Sequence, residues 1–207
     1  MRGMLTRFGG LLVVIGLMAG CSAGAKEPVG PTASPTAVTA SPTATPTPTA
    51  TTSTGVVMDL SDPALGIVFG AVPDVHGDAA DVYNWMATFE KEAWRTITTN
   101  QVSPAMDVIA SVEVKAQGQA TVDGNVKNGN HFGGVLHVRV GGISVDGDTA
   151  RGTACRDYAN VTFSDAGGPD TPEQAGFGQP RLMEMTLARV RAENRWKIIT
   201  IKENGTC

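Results

Sequence analysis

The sequence predicts an α+β domain in which N-terminal helices pack on a curved antiparallel sheet of four to five strands. Three observations carry this. Between residues 78 and 100 the apolar residues recur three and four apart, the spacing of one helical face. Beyond residue 111 the spacing changes to two, the period of a half-buried strand. Asp146-Gly147, a hairpin-turn dipeptide, then sits between two such runs. One face of the sheet must be covered, and the helices are the only available cover. The amphipathic helix argues against an immunoglobulin-like sandwich, which needs about seven short strands and no such helix.

The chain opens on a different kind of segment. Arg2 and Arg7 form a positive head without acids, and Phe8 to Ala19 is almost wholly apolar or glycine. That run is too short for a bilayer span, which takes roughly 20 residues. A charged head, a short apolar core and small residues before a cut site make a secretory signal over residues 1–20. Met18-Ala19-Gly20-Cys21 resembles a bacterial lipobox, so the Cys21 thiol is expected to take a diacylglyceryl group and become the first mature residue. Each buried methylene of such an anchor contributes about 0.8 kcal/mol, and two or three chains hold durably. The expected address is the extracytoplasmic face of the cell membrane.

Residues 21–55 then form a tether. Ser22 to Gly55 is rich in Pro, Thr, Ala and Ser and has no aromatic residue. Such a composition cannot bury enough apolar surface to offset its ordering entropy. Between a flexible coil and an extended polyproline form, its reach is roughly 30–100 Å.

The globular region is expected over 56–207. Residues 56–76, broken by Pro63 and Pro73, read as a strand or an irregular lead-in. Asp78 is a fair N-cap for a helix whose inward face is Val82, Trp85, Met86, Phe89, Ala93 and Ile97, with Asn100 as its stop. Ser103 and Pro104 start a short second helix, as N-cap and first helical residue. From there the period-two reading begins: Val112 and Val114 alternate with Glu113 and Lys115, and Leu136, Val138 and Val140 with His137 and Arg139. A long strand runs through Cys155, and two more flank a turn near Glu193-Asn194. The segment 164–180, rich in Gly and Pro, reads as a long loop without an element of its own.

Charge excludes some functions. Of 16 basic residues two lie in the leader, which leaves 14 against 20 acids, a mature net charge of −6. That is wrong for a nucleic-acid binder or a polybasic membrane-surface module. With Cys21 given to lipid, Cys155 and Cys207 are left, and an oxidising compartment favours their disulfide. Closing a loop of about 50 residues stabilises by roughly 4 kcal/mol in the loop-entropy account.

"VYNWMATFEKEAWRTI", "SVDGDTARGTACRD", "RVRAENRWKI" and the terminal "NGTC", in that helix-then-sheet order, resemble the nuclear transport factor 2-like superfamily. The likeness covers about 77–207 and is nearest to actinobacterial lipoproteins with a lipobox and a Thr/Pro/Ala tether. In those proteins a cysteine after the "GDTA" strand and one at the C-terminus accompany a Trp on the last strand, here Cys155, Cys207 and Trp196. The resemblance implies a cone-shaped α+β fold. The superfamily includes ketosteroid isomerases and polyketide cyclases, and fold alone does not choose among functions. Isomerase chemistry needs a carboxylate base in an apolar cavity with a phenol or protonated acid beside it. Tyr83 and Tyr158 are the only phenols, and neither lies in a motif that matches the enzymes, so no catalytic residue is carried over.

Other candidates are weaker. His131, His137, His76 and Asp157 could approach a metal, but their spacing matches no usual zinc pattern and no metal site is expected. Arg156-Asp157-Tyr158 could form a polar cluster at the mouth of a cone, or a surface salt bridge. Met183, Met185 and Leu187 lie on one side of a strand and belong to core or to an adaptable apolar pocket. There is no phosphate-binding loop, nucleophile elbow or CxxC pair, and no cofactor is expected. The expected function is a non-catalytic binding or interaction module, its partners an envelope protein or a small apolar ligand. The alternative is a small isomerase- or cyclase-like enzyme, or a carrier, using the cone cavity.

Replacing Cys21→Ala should release the protein from membranes into the soluble fraction on cell fractionation. Retention of the variant on membranes would refute the lipid anchor.

Overall fold

The computed structural model describes residues 54–207, so Cys21, the leader and most of the tether lie outside the described residues. The first described element is a short strand, β1 (Ile67–Phe69), followed by three helices: α1 (Asp78–Thr99), α2 (Met106–Ile109) and α3 (Val112–Asn128). Five further strands complete the chain: β2 (His131–Asp146), β3 (Thr149–Asp165), β4 (Gly168–Asp170), β5 (Arg181–Val190) and β6 (Arg195–Thr206). The class is α+β, as expected. The sheet has six strands in the order β1-β2-β3-β5-β6, with β4 paired to β3. It is mixed, not wholly antiparallel, because β1 runs parallel to β2. The four-to-five-strand antiparallel expectation is corrected on both counts: β1 and β4 are three-residue strands, too short to show a period.

Helix α1 lies on the sheet through the expected residues Val82, Trp85, Met86 and Phe89, all buried. Contact with β3 is close: a Cβ built on Gly152 would stand 2.6 Å from the Met86 sulfur. The helix starts at Asp78 with Gly77 as N-cap and no side-chain cap, so Asp78 is its first residue and not its cap. Its end is as expected, with Asn100 in the left-handed region at φ 51°. The second helix begins later than expected. Ser103 caps the turn before it, its Oγ accepting from Ala105 N at 3.3 Å, and regular helix starts only at Met106.

The main departure is α3. Val112–Lys115, expected as strand, is the first turn of a 17-residue helix. Ser111 is a working N-cap whose side chain accepts from Val114 N at 3.2 Å. Valines suit either state, and two apolar-polar alternations are too few to tell the periods apart. Gly118 and Gly124 thin out the inward stripe, so only Val114, Val122 and Asn125 are buried and the helical period is faint.

The hairpins follow the sequence. Asp146 pairs with Thr149 across the two-residue turn Gly147-Asp148, with Gly147 at φ 57°. A turn of 3-10 helix (Arg191–Glu193) and left-handed Asn194 join β5 to β6. The segment 164–180 is more ordered than a loop. It holds the end of β3 and all of β4, and it buries Phe177 against Tyr158 and Phe163, with ring centroids 5.4 and 5.6 Å apart.

A strap of residues 54–69 crosses α1 and is tied down by its polar side chains. Asp81 accepts from Thr54 N and Gly55 N, both at 2.9 Å. Asn84 accepts from Met58 N at 2.9 Å and donates to Val56 O at 2.8 Å. Trp94 donates to Leu65 O at 3.1 Å. These buried polar groups are satisfied by backbone that has no ladder of its own, which is why the strap is ordered without being regular.

Cys155, on β3 between β2 and β5, is bonded to Cys207 with Cα atoms 6.0 Å apart across 52 residues of chain. This is the pairing the sequence implied. Cys207→Ser should lower the free energy of unfolding by about 4 kcal/mol in urea titration. An unchanged midpoint and slope would show that the bond does not brace the fold.

Candidate functional site

The site is built where three elements meet. α1 supplies Phe89, Ala93 and Ile97, α3 supplies Val114 and Gly118, and the sheet supplies Met183 and Ile201 with Arg156 among them. Together they surround a cleft of 210 Å³.

The opening has a local cause in α3. Its inward stripe reads Val114, Gly118, Val122, one residue every four. A Cβ added at Gly118 would meet no atom within 4 Å. A larger side chain there would project into the space that now forms the cleft. The glycine is kept although it costs a helix roughly 0.5–1 kcal/mol relative to alanine.

The polar part of the site is an ion pair. Arg156 donates to Glu90 through Nε at 2.7 Å and through Nη2 at 3.0 Å, one bond to each carboxylate oxygen. The Glu90 side chain is 1% exposed and that of Arg156 is 12% exposed. Burial alone would lower the Arg156 pKa. The facing Glu90 carboxylate, helped by Tyr158, more than offsets this and holds the pKa above the ordinary arginine value. The guanidinium therefore stays charged, and Glu90 stays engaged on both oxygens. At the rim Lys115 is held by Asp107 and Thr121 adds a hydroxyl, while the buried Thr96 hydroxyl is taken by Glu92 O and Ser103 N.

The expected polar cluster at 156–158 is divided by the pleat. Arg156 faces α1, while Asp157 points to the opposite face and lines a separate groove with His137, Arg139 and Cys155. That groove measures 380 Å³, and Arg139 Nη2 lies 3.5 Å from Cys155 Sγ in it. Asp157 pairs in register with His137, whose Nε2 is 3.3 Å from Asn160 Nδ2. His131 pairs with Ser164 at the start of β2, and His76 lies 3.2 Å from Asp74 before α1. Among the described residues no three His, Cys, Asp or Glu side chains are grouped to hold a metal. Of the methionine strand, Met183 reaches the cleft, while Met185 and Leu187 are core.

Neither phenol stands ready for enolate chemistry. Tyr83 is fully buried and its hydroxyl has no hydrogen-bond partner. Burial, with the Asp59 carboxylate adding to it, raises its pKa. Tyr158 packs on Phe177 beside Arg156.

Sequence reasoning missed Glu90 and Gly118. Glu90 had a signal: it stands four residues after Met86 and eight after Val82, a charge on an apolar stripe. Arg156 is its mirror, two residues after the buried Ala154 on β3. Opposite charges at two inward positions announce a pair, though not which pair. No protein-family model matches the chain, and no curated protein matches it in sequence.

Glu90→Ala should cost about 3–5 kcal/mol in chemical unfolding, because it leaves Arg156 desolvated and unpaired. The double change Glu90→Met with Arg156→Met should fall within about 1.5 kcal/mol of the parent, since apolar groups of similar volume often replace a buried pair at little cost. A double variant as unstable as the single one would overturn this account of the pair.

Proposed function

We propose that the chain is an extracytoplasmic lipoprotein whose domain is a non-catalytic binding module for a small apolar ligand. Cys21 carries the lipid, residues 22–53 set the domain off the membrane, and the domain belongs to the nuclear transport factor 2-like cones. The order of helices before a long-stranded sheet supports the cone reading, and α3 brings the helical portion to three helices. The observation that carries the function is the cleft between α1, α3 and the sheet, walled by apolar side chains and left open by Gly118. Ligand sites are concave, mostly apolar and marked by a few polar groups, and this cleft has that character at 210 Å³, a volume below the roughly 300–1,000 Å³ of drug-sized sites.

The enzyme alternative draws less support. A base in an apolar cavity needs a free carboxylate. No Asp or Glu is among the described residues lining the cleft, and Glu90, the partner of the lining residue Arg156, has both its oxygens taken by it. A binding module needs no such base and gains a rigid floor from the pair.

The test is titration of the full-length, detergent-solubilised protein with the neutral fluorophore N-phenyl-naphthylamine. Saturable enhancement is expected for the parent, and a loss of at least about tenfold in affinity for Gly118→Leu with its thermal midpoint retained. Equal binding by the folded variant would place the ligand elsewhere.

A further inference from the structure

The cleft is walled mostly by apolar side chains, with Lys115, Gln117 and Thr121 also lining it, and the charge at its floor is already neutralised. Arg156 has five N–H groups. Two of them go to Glu90. Even with one more turned toward Tyr158, two of the five remain, on a side chain that is 12% exposed and borders the cleft. Buried donors of a charged group are costly to leave without an acceptor. Water can serve them while the cleft is empty, but a purely hydrocarbon occupant would expel that water and offer nothing in return.

The charge balance narrows the acceptor. Glu90 faces Arg156 at hydrogen-bond distance on both oxygens, so the guanidinium has no net charge left to offer. A ligand carboxylate would put a second acid beside the same cation in a desolvated place, with its own desolvation uncompensated. The only other cation at the cleft, among the described residues lining it, is Lys115, and it is committed to Asp107. A neutral oxygen, with lone pairs but no charge to desolvate, fits these donors better than an anion does.

Resting on the cleft reading above, we infer that the ligand is a small neutral molecule with an apolar body and one terminal carbonyl oxygen, a ketone or ester, which accepts from the Arg156 guanidinium. The apolar body lies between Phe89, Ile97, Val114 and Met183. Arg156 is then a selectivity residue: it does not add much affinity over water but penalises ligands that cannot accept from it. Glu90 is a positioning residue, which keeps the fork of Arg156 aimed and its charge balanced.

Three probes of one chain length separate the possibilities: methyl octanoate, octanoate and octane, each displacing N-phenyl-naphthylamine from the full-length protein at neutral pH. The ester should displace at a concentration at least about tenfold below the other two, the scale of one hydrogen bond to a charged donor. In the Glu90→Met, Arg156→Met variant the ester and octane should become equal within about threefold, the fluorophore still binding. Octanoate as the strongest competitor would overturn the inference and make Arg156 an anion receptor. Equal potency of all three on the parent would overturn it while leaving the cleft intact. Failure of the fluorophore itself to bind would instead remove the cleft reading, and this inference with it.

Discussion

The bidentate contact between Glu90 on α1 and Arg156 on β3 is the constraint around which the domain is arranged. A charge on an apolar helix face is tolerable only if its partner reaches it from the facing layer. This requirement acts on rotation and on translation at once. α1 must present Glu90 at the level of Arg156, and that same setting puts the Met86 sulfur against Gly152, 2.6 Å from where a Cβ would stand. The apolar contacts of α1 would accept a range of small shifts. The forked pair accepts far fewer, because two hydrogen bonds fix orientation as well as distance.

With α1 so placed, its remaining polar residues find uses on the side away from the sheet. The strap at 54–69 gives Asp81, Asn84 and Trp94 backbone partners. The strap in turn delivers β1 to the edge of β2, in parallel register from Ile67 opposite Leu136 to Phe69 opposite Val138. At the other side of the sheet the disulfide holds the final residue to the central strand β3, so β6 is fixed at both ends of its course. Its first half is also covered by the joint between α2 and α3, where Ser111 N donates to Ile198 O at 2.8 Å.

The cleft is what is left over once these demands are met. α3 is capped well by Ser111 and by left-handed Gly129, yet it buries little: Val112 is 77% exposed and only three of its residues are buried. Its inward stripe has a gap at Gly118 over the one stretch of floor that carries a charge. A weakly packed helix above a rigid, charge-balanced floor combines the two properties a small binding site needs, room and a fixed polar landmark.

Some of this protein could be read from residues in a row, and some could not. Local chemistry was legible: the face of α1 from Val82 to Phe89, its stop at Asn100, the hairpin signalled by Asp146-Gly147 though its turn falls one residue on at Gly147-Asp148, the alternation of Leu136, Val138 and Val140, and the pairing of the two downstream cysteines. Each of these depends on neighbours within a few residues or on elimination among few candidates. α3 was not legible, because Gly118 and Gly124 weaken its period and its valines suit strand as well as helix. β1 was not, because a three-residue parallel strand exists only through its partner. Above all, Glu90 and Arg156 are 66 residues apart, and nothing local to either names the other as its partner. Only packing one layer on the other removes both from water, turns two ordinary ions into one buried pair, and leaves a cleft beside them.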